Sequence, residues 1–352
     1  MTPGVLLYCR AGFEKECAQD ITHHAEALGV AGWCKAKPDT GYVLYHPSDE
    51  SGFGILRKRL DFSSLIFSRQ IIFVTGPITD LPVGDRVTPL LEAAKSWHSA
   101  FSTLWLETAD TNEAKETLGF CRKFEPHLKR AMEKANLLKA DKTFPRLHVF
   151  FLDSGSAYVG YSHPGNSGNW PMGIPRLKMP YQAPSRSTLK LAEAIYELLT
   201  PAEQEKLHAG QRAVDLGAAP GGWTWQLTQR GICVIAVDNG PMAESVMNTG
   251  FVEHLRADGF TFRPRSPVDW LVCDMVDKPA RVADLVARWF ERGDCRNAIF
   301  NLKLPMKQRY EEARTCLERI SGRLDKLQRP FKLKARQLFH DREEITCVII
   351  AN

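Results

Sequence analysis

Residues 213–224 read AVDLGAAPGGWT: a short apolar run, a glycine-rich turn and the start of a segment with helical spacing. A strand followed by a glycine-rich loop and a helix is typical of nucleotide-binding turns in α/β proteins. The small residues let the backbone approach a ligand closely, and the start of the helix offers unpaired N–H groups. Because ligands of open α/β sheets bind at the carboxyl ends of the strands, this loop predicts the position of a cofactor.

The segments around this loop alternate between short apolar runs and stretches of helical length. Four runs predict parallel strands that are covered on both faces: Ala213–Leu216, Cys233–Val237, Trp270–Cys273 and Ala298–Leu302. Two further runs, Phe331–Leu338 and Ile345–Ile350, have no helix between them and predict an antiparallel hairpin at one sheet edge. We therefore expect a doubly wound, Rossmann-like α/β domain with an antiparallel edge hairpin.

The front half of the chain also alternates strands and helices, but in shorter units. A strong strand is predicted at Leu65–Val74, and Pro126 predicts a break in the helical stretch Asn112–Leu138. We interpret the front half as two small α+β domains rather than one large sheet. A segment rich in proline and glycine then predicts a linker. The expected boundaries are 1–62, 63–165, 166–184 for the linker and 185–352.

The composition is typical of a soluble globular protein of two or three domains, with 352 residues, 44% hydrophobic and 25% charged. Nine cysteines without a C-x-x-C pair argue against a disulfide framework and against a zinc site made of cysteines. No apolar run reaches the length of a membrane span, and the first residues lack the basic start of a secretory signal. We expect a cytoplasmic protein with no bound metal and no membrane partner.

The net charge of +5 is unevenly distributed. Residues 1–165 hold 19 basic and 19 acidic side chains, so the whole excess lies in the remainder. Within it, Lys303–Arg342 has 12 basic against 5 acidic residues. Such a stretch suits contacts with phosphate groups, although a solvated helix face would have the same composition.

The spacing of the glycines distinguishes between candidate cofactors. A dinucleotide site has G-x-G-x-x-G and a P-loop has Gly-Lys-Ser/Thr, whereas this loop has G-x-x-x-G-G with Pro220 inside it. Asp238 ends the next strand and could hold a ribose diol, and Asp258 could face an adenine or its ribose. An acidic pocket suits a sulfonium cation better than a pyrophosphate, so S-adenosyl-L-methionine is the expected cofactor.

The loop DLGAAPGGW at 215–223 closely resembles the motif of the FtsJ-like ribose 2′-O-methyltransferases. Other segments are similar to one bacterial family among them, the large-subunit rRNA 2′-O-methyltransferases M. These segments are SRSTLKL at 185–191, VDNGPM at 237–242, VCDMV at 272–276, FNLKLPMK at 300–307, FSSLIFSRQ at 62–70, ADTNE at 109–113 and FCRKF at 120–124. The resemblance runs over nearly the full chain.

The resemblance implies a ferredoxin-like domain, then a THUMP domain that binds RNA, then the methyltransferase domain. It implies methylation of the ribose 2′-hydroxyl of one cytidine in the peptidyl-transferase region of 23S rRNA. The partner would be this rRNA, as naked RNA or as an early precursor, and we expect a monomer. Ser187 would contact the methionine part of the cofactor, or else cap its helix. The implied cofactor-binding residues are Ser187, Asp215, Gly217, Ala219, Pro220, Gly221, Gly222, Trp223, Asp238, Asp258 and Asp274.

Methyl transfer to a hydroxyl needs a group that takes the hydroxyl proton. A lysine does so only when burial or a neighbouring cation lowers its pKa. The resemblance implies a catalytic tetrad of Lys190, Asp274, Lys303 and Glu344. Lys303 would be the general base, Asp274 and Lys190 would tune it and orient the ribose, and Glu344 would support them. Glu343 remains an alternative to Glu344.

Two other functions remain open from the residues alone. A non-catalytic rRNA assembly factor with a vestigial methyltransferase fold would not need to bind the cofactor. An NAD-dependent oxidoreductase would bind a nicotinamide, which the spacing of the loop disfavours.

Overall fold

The computed structural model describes residues 3–327 and 329–351 of the chain. The chain forms two compact units that are divided between Pro175 and Arg176. Each unit is built on one seven-stranded sheet. Within the described ranges, no helix combines the length and the apolar character that crossing a membrane requires.

The first unit contains seven strands and four α-helices in its described residues. The strands are β1 (Pro3–Tyr8), β2 (Gly32–Ala36), β3 (Tyr42–Pro47), β4 (Gln70–Ile78), β5 (Thr103–Glu107), β6 (Arg146–Asp153) and β7 (Ser156–Ser162). The helices are α1 (Glu14–Ala27), α2 (Glu50–Arg59), α3 (Val87–Trp97) and α4 (Lys115–Lys134). The strand order is β2-β3-β1-β4-β7-β6-β5, and only β5 and β6 pair in parallel.

Strand β4 joins both halves of this unit in a single sheet. It pairs with β1 on one side, where Ile72 faces Leu6, and with β7 on the other, where Val74 faces Gly160. The two small α+β domains expected in this half therefore share one continuous sheet, and only the expected absence of a single large sheet is wrong. Residues 70–74 of β4 are buried without alternation, which is the pattern of a central strand paired on both edges. The strand also begins at Gln70, five residues later than predicted.

Helix α4 differs from its prediction as well. It continues through Pro126 without a break. Pro126 and Arg122, whose carbonyl loses its helical partner, are both exposed, so water can satisfy that carbonyl. The predicted break at Pro126 is wrong because the proline lies on the solvent side of the helix.

The second unit has seven strands and six α-helices in its described residues. The strands are β8 (Arg212–Leu216), β9 (Cys233–Val237), β10 (Val252–Leu255), β11 (Val268–Cys273), β12 (Cys295–Lys303), β13 (Phe331–Arg336) and β14 (Glu344–Ala351). The helices are α5 (Thr188–Leu198), α6 (Pro201–Gln204), α7 (Gly222–Thr228), α8 (Glu244–Met247), α9 (Pro279–Glu291) and α10 (Arg309–Leu324).

The strand order of this second sheet is β10-β9-β8-β11-β12-β14-β13. The first five strands are parallel, and β14 runs antiparallel to both β12 and β13. This confirms the doubly wound α/β domain with an antiparallel edge hairpin. The strand order reverses beside β8, so the glycine-rich loop after β8 leaves the sheet at its topological switch point.

One face of the second sheet packs against α5. Val272, Ile299 and Val348 form a buried core there with Leu191 and Ile195 of the helix. Because side chains two residues apart lie on the same face of a strand, this apolar face continues toward the carboxyl ends of β11 and β12. The polar residues of the candidate site lie at that end.

Candidate active site

Four charged residues meet at the end of this sheet face. Lys303 is the last residue of β12 and Glu344 the first of β14, and the two are directly opposite each other in the antiparallel pair. Asp274 follows β11, the other neighbour of β12, and Lys190 is the third residue of α5. The topology of the sheet and the helix packed on it therefore bring together all four residues of the predicted tetrad.

Each lysine of this cluster contacts both carboxylates. Nζ of Lys303 lies 2.6 Å from Oδ1 of Asp274, and Nζ of Lys190 lies 3.4 Å from Oδ2 of the same residue. Oε2 of Glu344 contacts Lys303, and its Oε1 contacts Lys190. Two positive and two negative groups thus alternate in a ring. This balance allows four charges to lie in a mostly buried position.

Glu343, the alternative fourth member, lies outside the ring. Its Oε2 pairs with Nη2 of Arg309 at 2.8 Å, and its side chain is 59% exposed against 5% for Glu344. Neighbouring residues of a strand point to opposite faces, so only one of the two glutamates can face Lys303. The structure places Glu344 in the cluster.

The electrostatics of Lys303 differ from the expectation of a lowered pKa. Burial lowers the pKa of Lys303, but the charges of Asp274 and Glu344 and their hydrogen bonds act in the opposite direction. The result is a pKa above the ordinary value of a lysine. In this arrangement Lys303 therefore carries its proton at neutral pH.

The glycine-rich loop owes its shape to the absence of side chains at three positions. Gly217 has φ +77°, and a Cβ there would lie 2.7 Å from Cγ of Met275. Gly221 has φ +113° and directly precedes α7. A Cβ on Gly222 would collide with the hydroxyl oxygens of Ser185 and Ser187. The loop can therefore lie close to Met275 on one side and to Ser185 and Ser187 on the other only with glycine at these positions.

A first cavity of about 280 Å³ opens beside this loop. It is lined by Ser185, Ser187, Asp215, Gly217, Ala218, Ala219, Pro220, Trp223 and Asp274. Oγ of Ser187 lies 2.7 Å from Oγ of Ser185. Ser187 precedes α5, but its side chain makes no capping hydrogen bond to the helix. Its hydroxyl therefore contacts Ser185 on the cavity wall rather than the start of the helix.

Asp215 lies at the back of this first cavity and is buried. Its Oδ2 accepts a hydrogen bond from Oγ1 of Thr224 at 2.6 Å. Its Oδ1 is buried and has no hydrogen-bond partner among the described residues. Burial raises the pKa of Asp215 to about 7, and the charges of Asp274 and Asp238 also raise it. The cavity therefore contains a buried acceptor that protein groups leave unsatisfied.

A second cavity of about 380 Å³ shares Gly217, Ala219 and Asp274 with the first. Its other walls are Val237, Asp238, Asn239, Ala257, Asp258, Gly259, Phe260, Met275 and Val276. Asp238 ties the end of β9 to the loop, because its Oδ2 accepts a hydrogen bond from the backbone N–H of Ala219 at 3.0 Å. Oδ1 of Asp258 accepts a hydrogen bond from the N–H of Phe260 at 2.9 Å.

Nine of the eleven predicted cofactor-binding residues line one or both cavities. Gly221 and Gly222 line neither cavity, and their role is to allow the backbone conformation of the loop. Asp274 is the one tetrad member on the cavity walls, and it contacts both lysines of the ring. The sequence reasoning missed Ser185, Met275 and Phe260, which line the cavities, and Asn301, which contacts Asp274. A polar residue inside the apolar run Ala298–Leu302, two positions before Lys303, was the available signal for Asn301.

Comparison with known families assigns three parts of the chain. A family model described as the RlmM ferredoxin-like domain matches residues 1–72. A model described as ribosomal RNA large subunit methyltransferase M, N-terminal, matches residues 85–163. A model described as FtsJ-like methyltransferase matches residues 183–291, which include the glycine-rich loop and Asp274.

Full-length relatives agree with these matches. A protein named ribosomal RNA large subunit methyltransferase M from Methylococcus capsulatus is 53% identical over 97% of this chain and 96% of its own length. Proteins of the same name from Cellvibrio japonicus and Thauera aminoaromatica are 52% and 50% identical. They cover 97% and 98% of this chain, and the alignments span 97% and 95% of their own lengths.

Proposed function

The chain belongs to the ribosomal RNA large subunit methyltransferase M family, and from this premise we propose that it methylates the ribose 2′-hydroxyl of a cytidine in 23S rRNA, with S-adenosyl-L-methionine as methyl donor. As a member of this family with an FtsJ-like domain, it is an rRNA methyltransferase. The observation that carries the finer proposal is the position of Asp274. This residue lines both cavities and holds Lys303 at 2.6 Å.

The residues around the two cavities fit S-adenosyl-L-methionine. The walls carry the carboxylates of Asp238, Asp258 and Asp274 together with the carboxyl group of Asp215, whose pKa is about 7, and these groups favour a cationic ligand over a pyrophosphate. The unsatisfied Oδ1 of Asp215 and the hydroxyl of Ser187 suit the polar amino-acid part, and Asp238 and Asp258 suit the ribose and adenine. When bound, the cofactor supplies the methyl group and a sulfonium cation.

In the proposed mechanism Lys303 takes the proton of the ribose hydroxyl at Nζ. Lys303 must first release its own proton to solvent, which its partly exposed side chain can reach, because Asp274 and Glu344 raise its pKa. A positive charge near the four-residue ring favours the loss of this proton from Lys303. Lys190 supplies such a charge beside the same two carboxylates, those of Asp274 and Glu344. Asp274 and Lys190 orient the ribose, and Glu344 holds both lysines in place. The assignment of a lysine as the base goes beyond the activity that the family shows and is part of the proposal.

The first unit is proposed to bind the RNA. We assign residues 1–62 to a ferredoxin-like domain, 63–165 to a THUMP-like RNA-binding domain, 166–184 to the linker and 185–352 to the methyltransferase domain. Two exposed pairs of cations on α4, Arg122–Lys123 and Lys129–Arg130, offer local sites for phosphate in this electroneutral half. We further propose that the protein acts as a monomer in the cytoplasm.

The test is transfer of tritiated methyl groups to unmethylated large-subunit rRNA by the wild type and by Lys303→Ala. The proposal expects the variant to fold, to bind S-adenosyl-L-methionine in calorimetry and to lose methyl transfer. Lys278→Ala, at an exposed lysine four residues after Asp274, serves as the control and should keep the wild-type rate.

Three results would each contradict a different part of the proposal. A folded Lys303→Ala protein that binds the cofactor and transfers methyl groups at a near-normal rate would remove Lys303 as the base. A wild type that binds no cofactor would favour the vestigial assembly factor. Mapping of the methylated nucleotide in rRNA from a deletion strain, before and after complementation, tests the cytidine and its 2′-hydroxyl.

A further inference from the structure

Three buried polar side chains form a row behind the charged ring: Asn301, Thr346 and Asp341. Each is completely buried. Asn301 and Thr346 are cross-strand partners on β12 and β14, one step inward from the partners Lys303 and Glu344 on the same face. Asp341 lies in the turn that precedes β14. The row therefore runs from the interior of the second unit to the candidate active site.

The row is continuous in hydrogen bonds. Nδ2 of Asn301 donates to Oδ1 of Asp274 at 2.9 Å, and Oγ1 of Thr346 donates to Oδ1 of Asn301 at 2.8 Å. Oγ1 of Thr346 also lies 3.1 and 2.9 Å from Oδ1 and Oδ2 of Asp341. Oδ2 of Asp341 accepts a further hydrogen bond from the backbone N–H of Leu338 at 2.9 Å.

The donors and acceptors allow only one direction along this row. A carboxylate of Asp274 paired with lysines accepts hydrogen bonds, so Asn301 must present its NH₂ group to it and its oxygen to Thr346. That oxygen can only accept, so the single hydroxyl proton of Thr346 points to Asn301. The contact between Thr346 and Asp341 then needs a proton from Asp341.

The surroundings of Asp341 favour this proton. Burial raises the pKa of Asp341 well above its ordinary value, and the charges of Glu344 and Glu193 raise it further. The hydrogen bond from the N–H of Leu338 and the contact with the hydroxyl of Thr346 act in the opposite direction. A neutral carboxylic acid at this position fits the hydrogen-bond directions that the neighbouring groups require.

We propose that Asp341, in its protonated form, Thr346 and Asn301 are positioning residues that form a one-way chain of hydrogen bonds ending on Oδ1 of Asp274. The inference rests on the proposed function, because Asp274 acts there between the cofactor cavities and Lys303. Asn301 shares Oδ1 with Lys303 and so leaves Oδ2 to face Lys190. The chain thereby fixes the rotation of the carboxylate on which the tetrad is built.

Paired substitutions at Thr346 separate the hydrogen bond from the packing. Thr346→Val keeps the shape but removes the hydroxyl, and we expect kcat to fall about tenfold or more while the KM for rRNA stays within about twofold. Thr346→Ser restores the hydroxyl and should recover most of the loss. An equal loss of kcat in both variants, or no loss of kcat in a folded Thr346→Val, would contradict the proposed chain of hydrogen bonds.

Substitutions at Asp341 test its protonation. Asn replaces a protonated Asp with little change, because its NH₂ group donates to Thr346 and its oxygen accepts from Leu338. Asp341→Asn should therefore retain kcat within about threefold, whereas Asp341→Leu should match Thr346→Val. If Asp341→Asn loses as much activity as Asp341→Leu, the proposed direction of the chain is wrong.

A measurement without any substrate keeps this inference distinct from the proposed function. The carbon-13 carboxyl shift of Asp341, assigned with Asp341→Asn, should stay at its protonated value at pH 7. An ionised Asp341 at pH 7 would overturn the inference even if methyl transfer is confirmed. Conversely, a wild type without methyl transfer but with a protonated Asp341 would contradict the proposed function alone.

Discussion

Oγ1 of Thr224 donates a hydrogen bond to Oδ2 of Asp215 over 2.6 Å and so ties the first turn of α7 to the end of β8. The other oxygen of Asp215 has no partner within the described residues, although it is buried. The loop therefore rests on a buried carboxyl group that has a hydrogen-bond partner on only one of its two oxygens and that belongs to the wall of the first cavity. Its titration gives a direct test of the buried site.

We predict that Asp215→Asn stabilises the free protein increasingly as the pH rises. The pKa of Asp215 is about 7 in the folded protein, above its ordinary value of 3.8. A raised pKa means that the folded state binds the proton more tightly, so this stabilisation is complete below pH 3.8 and lost as the pH rises to about 7. Asn does not titrate. The stability of the variant relative to wild type should grow by about 3 kcal/mol between pH 5 and pH 8 in urea unfolding. The same difference at both pH values would show that Asp215 is ionised throughout.

We predict that Glu344→Gln changes both the height and the pH dependence of the methylation rate. Loss of the contacts to both lysines should lower the maximal rate at least about tenfold. Removing a carboxylate that raises the pKa of Lys303 should also lower that pKa. Because a base acts only after deprotonation, the rise of the rate with pH should then occur at lower pH. Single-turnover rates between pH 6 and 10 measure both effects.

Glu343→Gln is the matched control for that prediction. Glu343 is exposed and pairs with Arg309 outside the ring, so the dependence of the methylation rate on pH in Glu343→Gln should match that of the wild type. A rate profile of Glu344→Gln that stays in place or moves to higher pH would contradict Lys303 as the titrating base.

We predict that Asp238→Ala weakens S-adenosyl-L-methionine binding by about tenfold or more, since a charged hydrogen-bond partner is lost. Asp238 lines the second cavity and also accepts hydrogen bonds from the N–H groups of Ala219 and Gly240. Calorimetric titration measures the dissociation constant. Glu253→Ala, at an exposed position of β10 that lines neither cavity, should bind like the wild type. Equal affinity of Asp238→Ala and wild type would place the ribose elsewhere.

We predict that Gly160→Ala destabilises the first unit by about 2–4 kcal/mol. A Cβ on Gly160 would collide with the backbone oxygen of Phe73 and lie 2.8 Å from Cγ1 of Val74, at the junction of β4 and β7. Gly119→Ala in α4 is the control: a Cβ there meets nothing within 4 Å, and Ala favours the helix by up to about 1 kcal/mol. Thermal unfolding of both variants measures the effect, and a Gly160→Ala protein as stable as wild type would show that β4 and β7 do not pair closely.

The second sheet was predictable because its signals are local. Four of its five parallel strands are short apolar runs between polar residues, whereas β10 carries Glu253 and His254 and was not among the four predicted runs. Parallel strands bring their carboxyl ends to one rim. Asp274 and Lys303 directly follow two of those runs and therefore lie at neighbouring positions of that rim. The family resemblance supplied Lys190 and Glu344, which lie on elements whose position the apolar pattern alone does not fix.

Other features depend on contacts that no local pattern reveals. The pairing of β4 with β7 joins residues 79 to 88 positions apart, and no pattern in either segment indicates its partner strand. The direction of the pKa shift of Lys303 depends on the cross-strand position of Glu344, which is a matter of register. The continuation of α4 through Pro126 depends on which side of the helix faces water.

The place of β4 also decides how this chain can be divided. Because β4 pairs with β1 over residues 70–75 and with β7 between residues 73 and 78, a fragment that ends before β4 or begins after it would carry an unpaired strand edge. Such edges recruit strands from other molecules and lead to aggregation. A cut between Pro175 and Arg176 separates no paired strands in the described part of the chain. The two parts of the front half that the family models match are therefore expected to stay soluble only when they are expressed together.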